Sequence, residues 1–209
     1  MPKKPKKLPI VSSSSWSEHK SQWSNCTSCT LCKTRSKTIL GTGKMPCDVL
    51  LLGDSPGTAE DTVGRPFVGP AGSLLIEMCE RAQELAEAEE LRLFYSNMLS
   101  CVPFQEETLK TKFPEEEEIK SCAPRLNDLI QLLKPKGIVM VGRLSGKFAP
   151  IYCDWDFDYS VEIIHPAAIL RADDALKGIT AQKTILLLEE FFTKVSNGPS
   201  SKEKKKSRR

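Results

Sequence analysis

The sequence predicts an α/β protein with three layers, in which helices cover both faces of a central, mainly parallel sheet of four strands. Two observations lead to this prediction. Four short apolar runs have the composition of buried strands, and segments with helical periodicity separate them along the chain. Strands that alternate with helices form parallel sheets covered on both faces, because each connecting helix packs back onto the sheet.

The four predicted strands are short and mostly apolar. They are "DVLLLG" (Asp48–Gly53), "LFYSNM" (Leu93–Met98), "GIVMVG" (Gly137–Gly142) and "VEIIH" (Val161–His165). Apolar residues at successive positions are typical of a strand whose two faces are both buried. These runs therefore supply the centre of the predicted sheet.

The predicted helices carry an apolar stripe or a recognisable first turn. They are a helix-like stretch from Trp16, Pro70–Leu85, Pro114–Leu133, a short helix after Gly142 and a final helix at Thr180–Val195. In the second of these, Leu74, Leu75, Met78, Ala82 and Leu85 share one face. Pro114 and the four glutamates that follow it suit a helix N-terminus, where the helix dipole favours negative charge.

The chain divides into one folded domain, predicted at 16–195, between two basic tails at 1–15 and 196–209. The net charge is only +3, but lysines cluster at the start of the chain and "KEKKKSRR" (Lys202–Arg209) lies at its end. Such segments are too charged to pack and are expected to be disordered. These tails either keep the protein soluble, or they act by contacting phosphates non-specifically or by directing the protein to the nucleus.

The composition indicates a globular protein away from membranes. Hydrophobic residues make up 40% of the 209 residues, enough for a real core. No apolar run approaches the ~18 residues that a membrane span requires, and no secretory pattern is present. We expect an intracellular monomer, in the cytoplasm or nucleoid, or in the nucleus if the host is a eukaryote.

Polar residues follow the predicted strands at the end where parallel sheets bind ligands, beyond the carboxyl termini of the strands. These residues are Gly53 and Asp54, Asn97, Gly142 and Arg143, and His165. The carboxyl ends of parallel strands meet at one edge of the sheet. The sequence therefore predicts that side chains from four distant parts of the chain converge there.

Eight cysteines are many for an intracellular chain, where disulfides are rare. Cys26 and Cys29 form a C-x-x-C pair, whose spacing lets both sulfurs reach one metal centre. A thioredoxin-like redox pair is disfavoured because the motif precedes the first strand. Cys101 and Cys122 could complete a set of four thiolates for either zinc or an iron–sulfur cluster. Three other cysteines are predicted to be small buried hydrophobes: Cys47, Cys79 and Cys153.

Five motifs in the same order resemble those of the family 4 uracil-DNA glycosylases, the iron–sulfur type of the uracil-DNA glycosylase superfamily. They are "CTSCTLCKTR", "GDSPGTAEDTVGRPFVGPAG", "YSNMLSCVP" with "EIKSCAPRL", "LKPKGIVMVGR" and "HPAAILR". The resemblance runs from Cys26 to Phe192, nearly the entire folded part. Each motif alone is a weak signal, but all five in order are highly specific.

The resemblance implies the fold of that superfamily and a 4Fe–4S cluster, in preference to zinc, held by Cys26, Cys29, Cys101 and Cys122. Cys32 lies where the family often has histidine and is expected to be a neighbour of the cluster. The cluster would be structural, tying the N-terminal segment to the loop after the second predicted strand.

The resemblance also implies a DNA repair enzyme of base excision, acting on uracil-containing DNA, single- or double-stranded. The target nucleotide would be extruded into a tight pocket. Phe67 would stack on the base, and the carboxamide of Asn97 would read uracil N3–H and O4. Further contacts to the base or its phosphate are expected from Gly53, Ser55, Gly57 and Arg171, with Arg65 and Arg143 as further candidates.

Three residues are expected to carry the chemistry. His165 would donate a hydrogen bond to O2 of the departing uracil. Asp54 lies where the family has glutamate and would orient the attacking water and favour the cationic sugar, from a side chain one methylene shorter. Glu60 could share or assume that role, with Asp61 as a further carboxylate of the same loop; both could equally be solvated loop charges.

Two other classes of function stay open at this point. A binding protein could retain the pocket and lack useful turnover, as the aspartate at position 54 and the basic tails suggest. A metal-stabilised scaffold could serve a replication complex through its tails.

Overall fold

A computed structural model describes residues 14–108 and 110–198. The two predicted tails, 1–15 and 196–209, lie almost wholly outside the described residues. Helices α1 to α7 are Trp16–Trp23, Thr58–Val63, Pro70–Leu85, Glu116–Leu133, Arg143–Tyr152, Pro166–Arg171 and Asp174–Asn197. Strands β1 to β5 are Thr42–Gly43, Val49–Gly53, Leu93–Asn97, Gly137–Val141 and Tyr159–Ile163, and a 3₁₀ helix covers Thr30–Lys33.

The strands form one sheet in the order β1-β3-β2-β4-β5. Strands β2 to β5 are parallel, and their last residues are in register: Gly53 pairs with Asn97 and with Val141, which pairs with Ile163. The four predicted strands are thus present, and their carboxyl ends meet at one edge. The fourth covers Tyr159–Ile163 and not Val161–His165, so His165 lies two residues beyond its end. The predicted α/β fold class is confirmed.

The described sheet has five strands, one more than predicted. The added strand, β1, is two residues long and pairs antiparallel with β3 at the edge of the sheet. A Cβ on Gly43 would lie 2.6 Å from Cα of Phe94, and Gly43 has φ of +145°, so this close approach requires glycine. A strand of two residues is too short to show the hydrophobic pattern by which strands are predicted from a sequence.

Side chains of the central strands alternate between two core layers. Leu50 and Leu52 pack with α4 and α5 on one face of the sheet, whereas Val49 and Leu51 pack with α3 and α7 on the other. All four side chains are fully buried. This two-sided burial is the reason why β2 is apolar at successive positions.

The helices differ from the prediction in four places. Helix α4 begins at Glu116, two residues after the predicted Pro114. The short helices α2 and α6 have six residues each, too few to show an apolar period. The last helix starts at Asp174 and not at Thr180. The sequence pattern missed its first turns because they are exposed; Leu176 and Ile179 are each 53% accessible. Among the described residues, no helix combines the length and the apolar composition that crossing a membrane demands.

Candidate active site

A cleft of about 1150 Å³ opens beyond the carboxyl ends of the parallel strands. Eight of the residues predicted to act in catalysis or substrate binding line it: Asp54, Ser55, Gly57, Glu60, Phe67, Asn97, His165 and Arg171. The ninth, Gly53, lies directly beneath it. The structure therefore brings together side chains from four separate parts of the chain.

Gly53 allows two predicted base-contacting side chains to approach the strand end. A Cβ on this residue would lie 2.7 Å from Cζ of Phe67 and would overlap the side-chain oxygen of Asn97. No other amino acid fits without moving one of them. Gly53 thus contributes to the site by having no side chain, which leaves room for Phe67 and Asn97.

Phe67 is half-buried and has a left-handed backbone, with φ of 56°. This conformation is uncommon for a bulky residue and persists only where its surroundings impose it. Gly72 is one such constraint, since a Cβ there would overlap the backbone of Phe67. The ring packs edge-on against Tyr95, with centroids 5.9 Å apart. These contacts hold the ring at the cleft wall.

Asn97 ends β3 and is 3% accessible. Its backbone oxygen accepts a hydrogen bond from Arg125, while within the described residues no hydrogen bond reaches its side-chain amide. A buried amide without a partner is costly. The amide of Asn97 is therefore available to a ligand in the cleft.

Arg125, from α4, braces the end of β3 from behind. Its guanidinium is fully buried and donates to the backbone oxygens of Asn97 and Met98, at 2.8 and 2.9 Å, and to Oγ of Ser96, at 3.2 Å. It also lies 3.6 Å from the sulfur of Cys122. One arginine thus connects a predicted cluster ligand to the strand end that carries Asn97.

His165 precedes α6, and its tautomer follows from one contact. The backbone N–H of Ala167 donates to Nδ1 of the imidazole at 3.2 Å, so in the neutral ring the proton lies on Nε2. Burial lowers the pKa of His165 below its ordinary value, and the charge of Arg171 lowers this pKa further. The charges of Asp54 and Glu60 act in the opposite direction and raise it. His165 is therefore a neutral donor through Nε2–H at pH 7.

Asp54 follows β2 and reaches the first turn of α5. Its Oδ1 accepts the backbone N–H of Ser145 at 2.8 Å, an interaction that the helix dipole favours. In the described part of the chain no hydrogen bond reaches Oδ2, which lies beside Gly142. One oxygen therefore positions the carboxylate, and the other is available to a water.

Glu60, on α2, organises the glycine-rich loop. Its carboxylate accepts three backbone N–H groups, from Gly57 at 3.0 Å and from Val68 and Gly69, both at 3.2 Å. These bonds close the loop on both sides of Phe67. The geometry favours a role in shaping the loop, and the catalytic role of Glu60 stays a prediction.

Two other charged residues that were candidates from this loop, Asp61 and Arg65, do not line the cleft. Asp61 is 4% accessible and accepts the backbone N–H groups of Ser36 and Lys37, so it is a buried anchor and not a solvated charge. Arg65 is exposed and does not line the cleft. Arg143 lines it together with Arg171.

Some cleft residues were not predicted from the sequence. Lys112 and Phe113 come from the segment before α4, Glu162 from β5 and Ile164 from the turn before His165. Glu162 and Ile164 belong to the same "VEIIH" stretch as the predicted His165, which could have indicated them. Lys112 and Phe113 carry no such signal, because only the path of the chain brings them to the cleft.

The four predicted cluster cysteines come together from three segments of the chain. Burial raises the pKa of Cys29, and the neighbouring thiols of Cys122 and Cys26 raise it further. Burial raises the pKa of Cys101 to about 12; nearby Arg35 opposes this shift, and Cys122 and Cys29 add to it. Cys29 thus lies near Cys26 and Cys122, and Cys101 lies near Cys122 and Cys29.

Four thiolates suit either zinc or an iron–sulfur cluster. Within the described residues, no group of three His, Cys, Asp or Glu side chains is arranged to hold one metal ion. Arg35 lies 3.2 Å from the sulfur of Cys101, and with Arg125 it would offset thiolate charge.

The predicted burial of three other cysteines is confirmed. Cys47, Cys79 and Cys153 are all buried in the core. Burial raises the pKa of Cys47 and of Cys153 to about 12, so both are neutral thiols at pH 7. They pack as small hydrophobic groups.

Comparisons with known proteins agree with this architecture. Residues 40–191 match the model of the uracil DNA glycosylase superfamily. The chain is 30% identical over 196 residues to the type-4 uracil-DNA glycosylase of Saccharolobus solfataricus, covering 85% of this chain and 83% of that one. To the type-4 enzyme of Archaeoglobus fulgidus it is 30% identical over 165 residues, 70% of this chain and 78% of that one.

A higher identity holds over a shorter stretch. The chain is 37% identical over 123 residues to the type-4 uracil-DNA glycosylase of Pyrobaculum aerophilum, 59% of this chain and 58% of that protein. For the type-4 enzyme of Sulfurisphaera tokodaii the match spans 53% of the relative. Those two matches thus cover little more than half of each relative. Together, the superfamily match and the longer relatives show that this chain belongs to the type-4 uracil-DNA glycosylases.

Proposed function

We propose that the protein is a DNA repair glycosylase, which hydrolyses the N-glycosidic bond of deoxyuridine in DNA, releases uracil and leaves an abasic site. One observation carries this proposal: Phe67, Asn97, His165 and Asp54 line the same cleft. An aromatic face, an amide, a neutral imidazole donor and a carboxylate are the groups that this reaction requires. Family membership supports the same conclusion.

Recognition of uracil follows from the ring of Phe67 and the amide of Asn97. The base stacks on the ring, while the amide oxygen accepts from uracil N3–H and the amide nitrogen donates to O4. Cytosine reverses this polarity at both positions. A good bidentate contact contributes about 1–3 kcal/mol of discrimination.

His165 stabilises the leaving group. As the bond between C1′ and N1 breaks, its electron pair moves onto the uracil, and Nε2–H of His165 donates to the negative charge that develops on O2. A neutral imidazole is sufficient because the uracil departs as an anion. Removal of such a donor costs about 10²–10³-fold in rate.

Asp54 acts on the sugar side of the same bond. Its Oδ1 is held by Ser145, and its Oδ2 orients a water whose oxygen attacks C1′. The carboxylate also stabilises the positive charge that develops on the sugar, and the proton of the water passes to it or to solvent. The products are uracil and an abasic deoxyribose.

Arg143 and Arg171 are suited to the phosphates that flank the extruded nucleotide. Both line the cleft, and Arg143 begins α5 beside the residues that hold Asp54. The cleft, at about 1150 Å³, exceeds the ~300–1,000 Å³ of ordinary small-molecule pockets. Its size therefore accommodates a base together with its sugar and phosphate.

We further propose that Cys26, Cys29, Cys101 and Cys122 hold a 4Fe–4S cluster. When bound, the cluster supplies a structural cross-link and takes no part in the hydrolysis. The four residues connect the segment after α1, the loop after β3 and the middle of α4. Visible absorption from thiolate-to-iron charge transfer, with four irons for each chain, would support a cluster; bound zinc without that absorption would contradict it.

Alkali cleavage tests the activity. Purified protein is incubated with an oligonucleotide that contains one deoxyuridine and then treated with alkali, which breaks the strand at abasic sites. We expect strand breaks with the wild type and with Arg81→Ala, an exposed control on α3, and far fewer over the same short incubation with His165→Ala or Asn97→Ala. Intact strands with tight, uracil-dependent retention would instead favour a binding protein, and absence of DNA affinity would favour a scaffold.

A further inference from the structure

Helix α7 is apolar on two of its sides. Its inner side is buried against the sheet and α3, through residues such as Leu188 and Phe192. Four large apolar residues on its outer side are between 39% and 53% exposed: Leu176, Ile179, Leu186 and Leu187. They are four of the nine exposed large hydrophobic residues in the described part of the chain. Because a helix that is apolar all round is normally covered all round, the outer side indicates a contact with another molecule.

The outer residues form one continuous surface, which we call the α7 stripe. Residues three or four positions apart lie on the same side of a helix. The members of the stripe follow this spacing; they are Leu176, Ile179, Lys183, Leu186, Leu187 and Glu190. A lysine can lay its methylene stem along an apolar surface and keep its charge in water, so Lys183 connects the two apolar parts. None of these six residues lines the cleft.

Two opposite charges lie at equal distances from the centre of the α7 stripe. Lys183 lies three residues before Leu186, and Glu190 lies three residues after Leu187. Within the described residues Lys183 makes no ion pair, whereas Glu190 contacts Lys194 of its own helix at 2.6 Å. That pair is more than half exposed, and such pairs contribute little. Both charges are therefore open to a partner.

We propose that the α7 stripe pairs with the α7 stripe of a second copy of this chain, in antiparallel orientation. A two-fold axis between Leu186 and Leu187 brings these leucines onto those of the partner. The same axis places Lys183 opposite the partner's Glu190, and it places Glu190 opposite the partner's Lys183. A parallel arrangement would instead set each of these charges against its own equivalent, which is unfavourable. The charges thus determine the orientation.

This dimer differs from the monomer expected from the sequence, because the exposure of α7 is known only from the structure. The pairing does not depend on the proposed glycosylase activity, since the α7 stripe lies outside the cleft. One helix from each copy makes a small interface, so we expect a weak dimer whose population rises with protein concentration.

Sedimentation equilibrium of the full chain tests the dimer. Between about 1 µM and 1 mM, the range of weak affinities, the wild type should pass from monomer to dimer. Leu187→Glu should weaken dimerisation at least about tenfold, because it places a charge in the apolar centre. Val63→Glu, the same kind of change at an exposed apolar residue of α2, should dimerise like the wild type. A wild type that stays monomeric over this range, or a Leu187→Glu variant that dimerises equally well, would overturn the proposal.

Mixing two charge variants tests the orientation. Lys183→Glu alone and Glu190→Lys alone each create two like-charge pairs across the axis, so each should weaken dimerisation about tenfold. In an equal mixture, position 183 of either variant again faces an opposite charge at position 190 of the other. We expect the mixture to dimerise like the wild type, and this recovery also shows that both variants are folded. Single variants as strong as the wild type would indicate the parallel arrangement, and a mixture as weak as either variant would exclude the pairing; both results would overturn the proposal.

Discussion

At the scale of single residues, two contacts decide what the cleft can do. The backbone N–H of Ala167 fixes the tautomer of His165, and the backbone N–H of Ser145 fixes one oxygen of Asp54. Both contacts are made by helix N-termini, whose first N–H groups lack partners within the helix. The reacting side chains are therefore oriented by backbone groups that no side-chain substitution removes.

The first prediction concerns the charge of Asp54. In Asp54→Asn the amide oxygen still accepts from Ser145, so α5 keeps its contact, but the negative charge is lost. We expect the single-turnover rate of uracil release to fall about 10²-fold while the melting temperature changes little. An unchanged rate would exclude Asp54 from catalysis.

Asp54→Glu is the matched variant, because it lengthens the side chain by one methylene and keeps the charge. The longer side chain adds reach toward the sugar and disturbs the contact with Ser145. We expect a rate much closer to the wild type than that of Asp54→Asn.

The second prediction concerns pH. Burial lowers the pKa of His165 below its ordinary value of about 6.5, so the neutral ring persists from pH 8 down to about that value. We expect the rate of uracil release to be level over this range and to fall in more acidic solution. Protonation there places a hydrogen on Nδ1, which then opposes the N–H of Ala167. A rate that rises in acid would show that the imidazolium is the active form.

At the scale of elements, loops and helices are held by charged side chains that are buried or half-buried. Glu60 closes the glycine-rich loop through three backbone bonds, and Arg125 joins α4 to the end of β3. Similarly, Asp128 of α4 binds Nδ1 of His19 at 2.6 Å and the indole N–H of Trp23 at 2.7 Å, which attaches α1. Each charge satisfies several groups from another segment, and its loss would leave those groups buried and unpaired.

The third prediction separates the two roles of Glu60. In Glu60→Gln one carboxylate oxygen becomes an NH₂ group, which cannot accept from the loop. If Glu60 shapes the loop, KM should rise about tenfold and kcat should change little, since Phe67 loses its fixed position. A large fall in kcat with unchanged KM would support the predicted catalytic role.

At the scale of the whole molecule, the proposed cluster would join parts of the chain that the sheet does not connect. The segment after α1 forms no strand of the described sheet, yet it carries Cys26 and Cys29, and Cys29 lies near Cys122 and Cys101. Cys122 lies beside Arg125, which supports Asn97. Loss of the cluster should therefore affect both stability and base recognition.

The fourth prediction tests this connection. Cys122→Ser should lose bound iron and visible absorption and lower the melting temperature. Cys32→Ser, half-buried and not among the predicted ligands, should keep all three. Retention of the full iron content by Cys122→Ser would exclude Cys122 as a ligand.

The sequence by itself determined the fold class, the four parallel strands and the edge at which polar residues meet, because hydrophobic periods and strand ends are local signals. Its motifs also indicated the family and the residues now found at the cleft. Only the tertiary structure decided how those residues are held. The contact of Asp54 with Ser145 spans 91 positions, and Phe113 lines the cleft although no strand or helix leads it there. Such contacts depend on packing between distant segments, which no local pattern records.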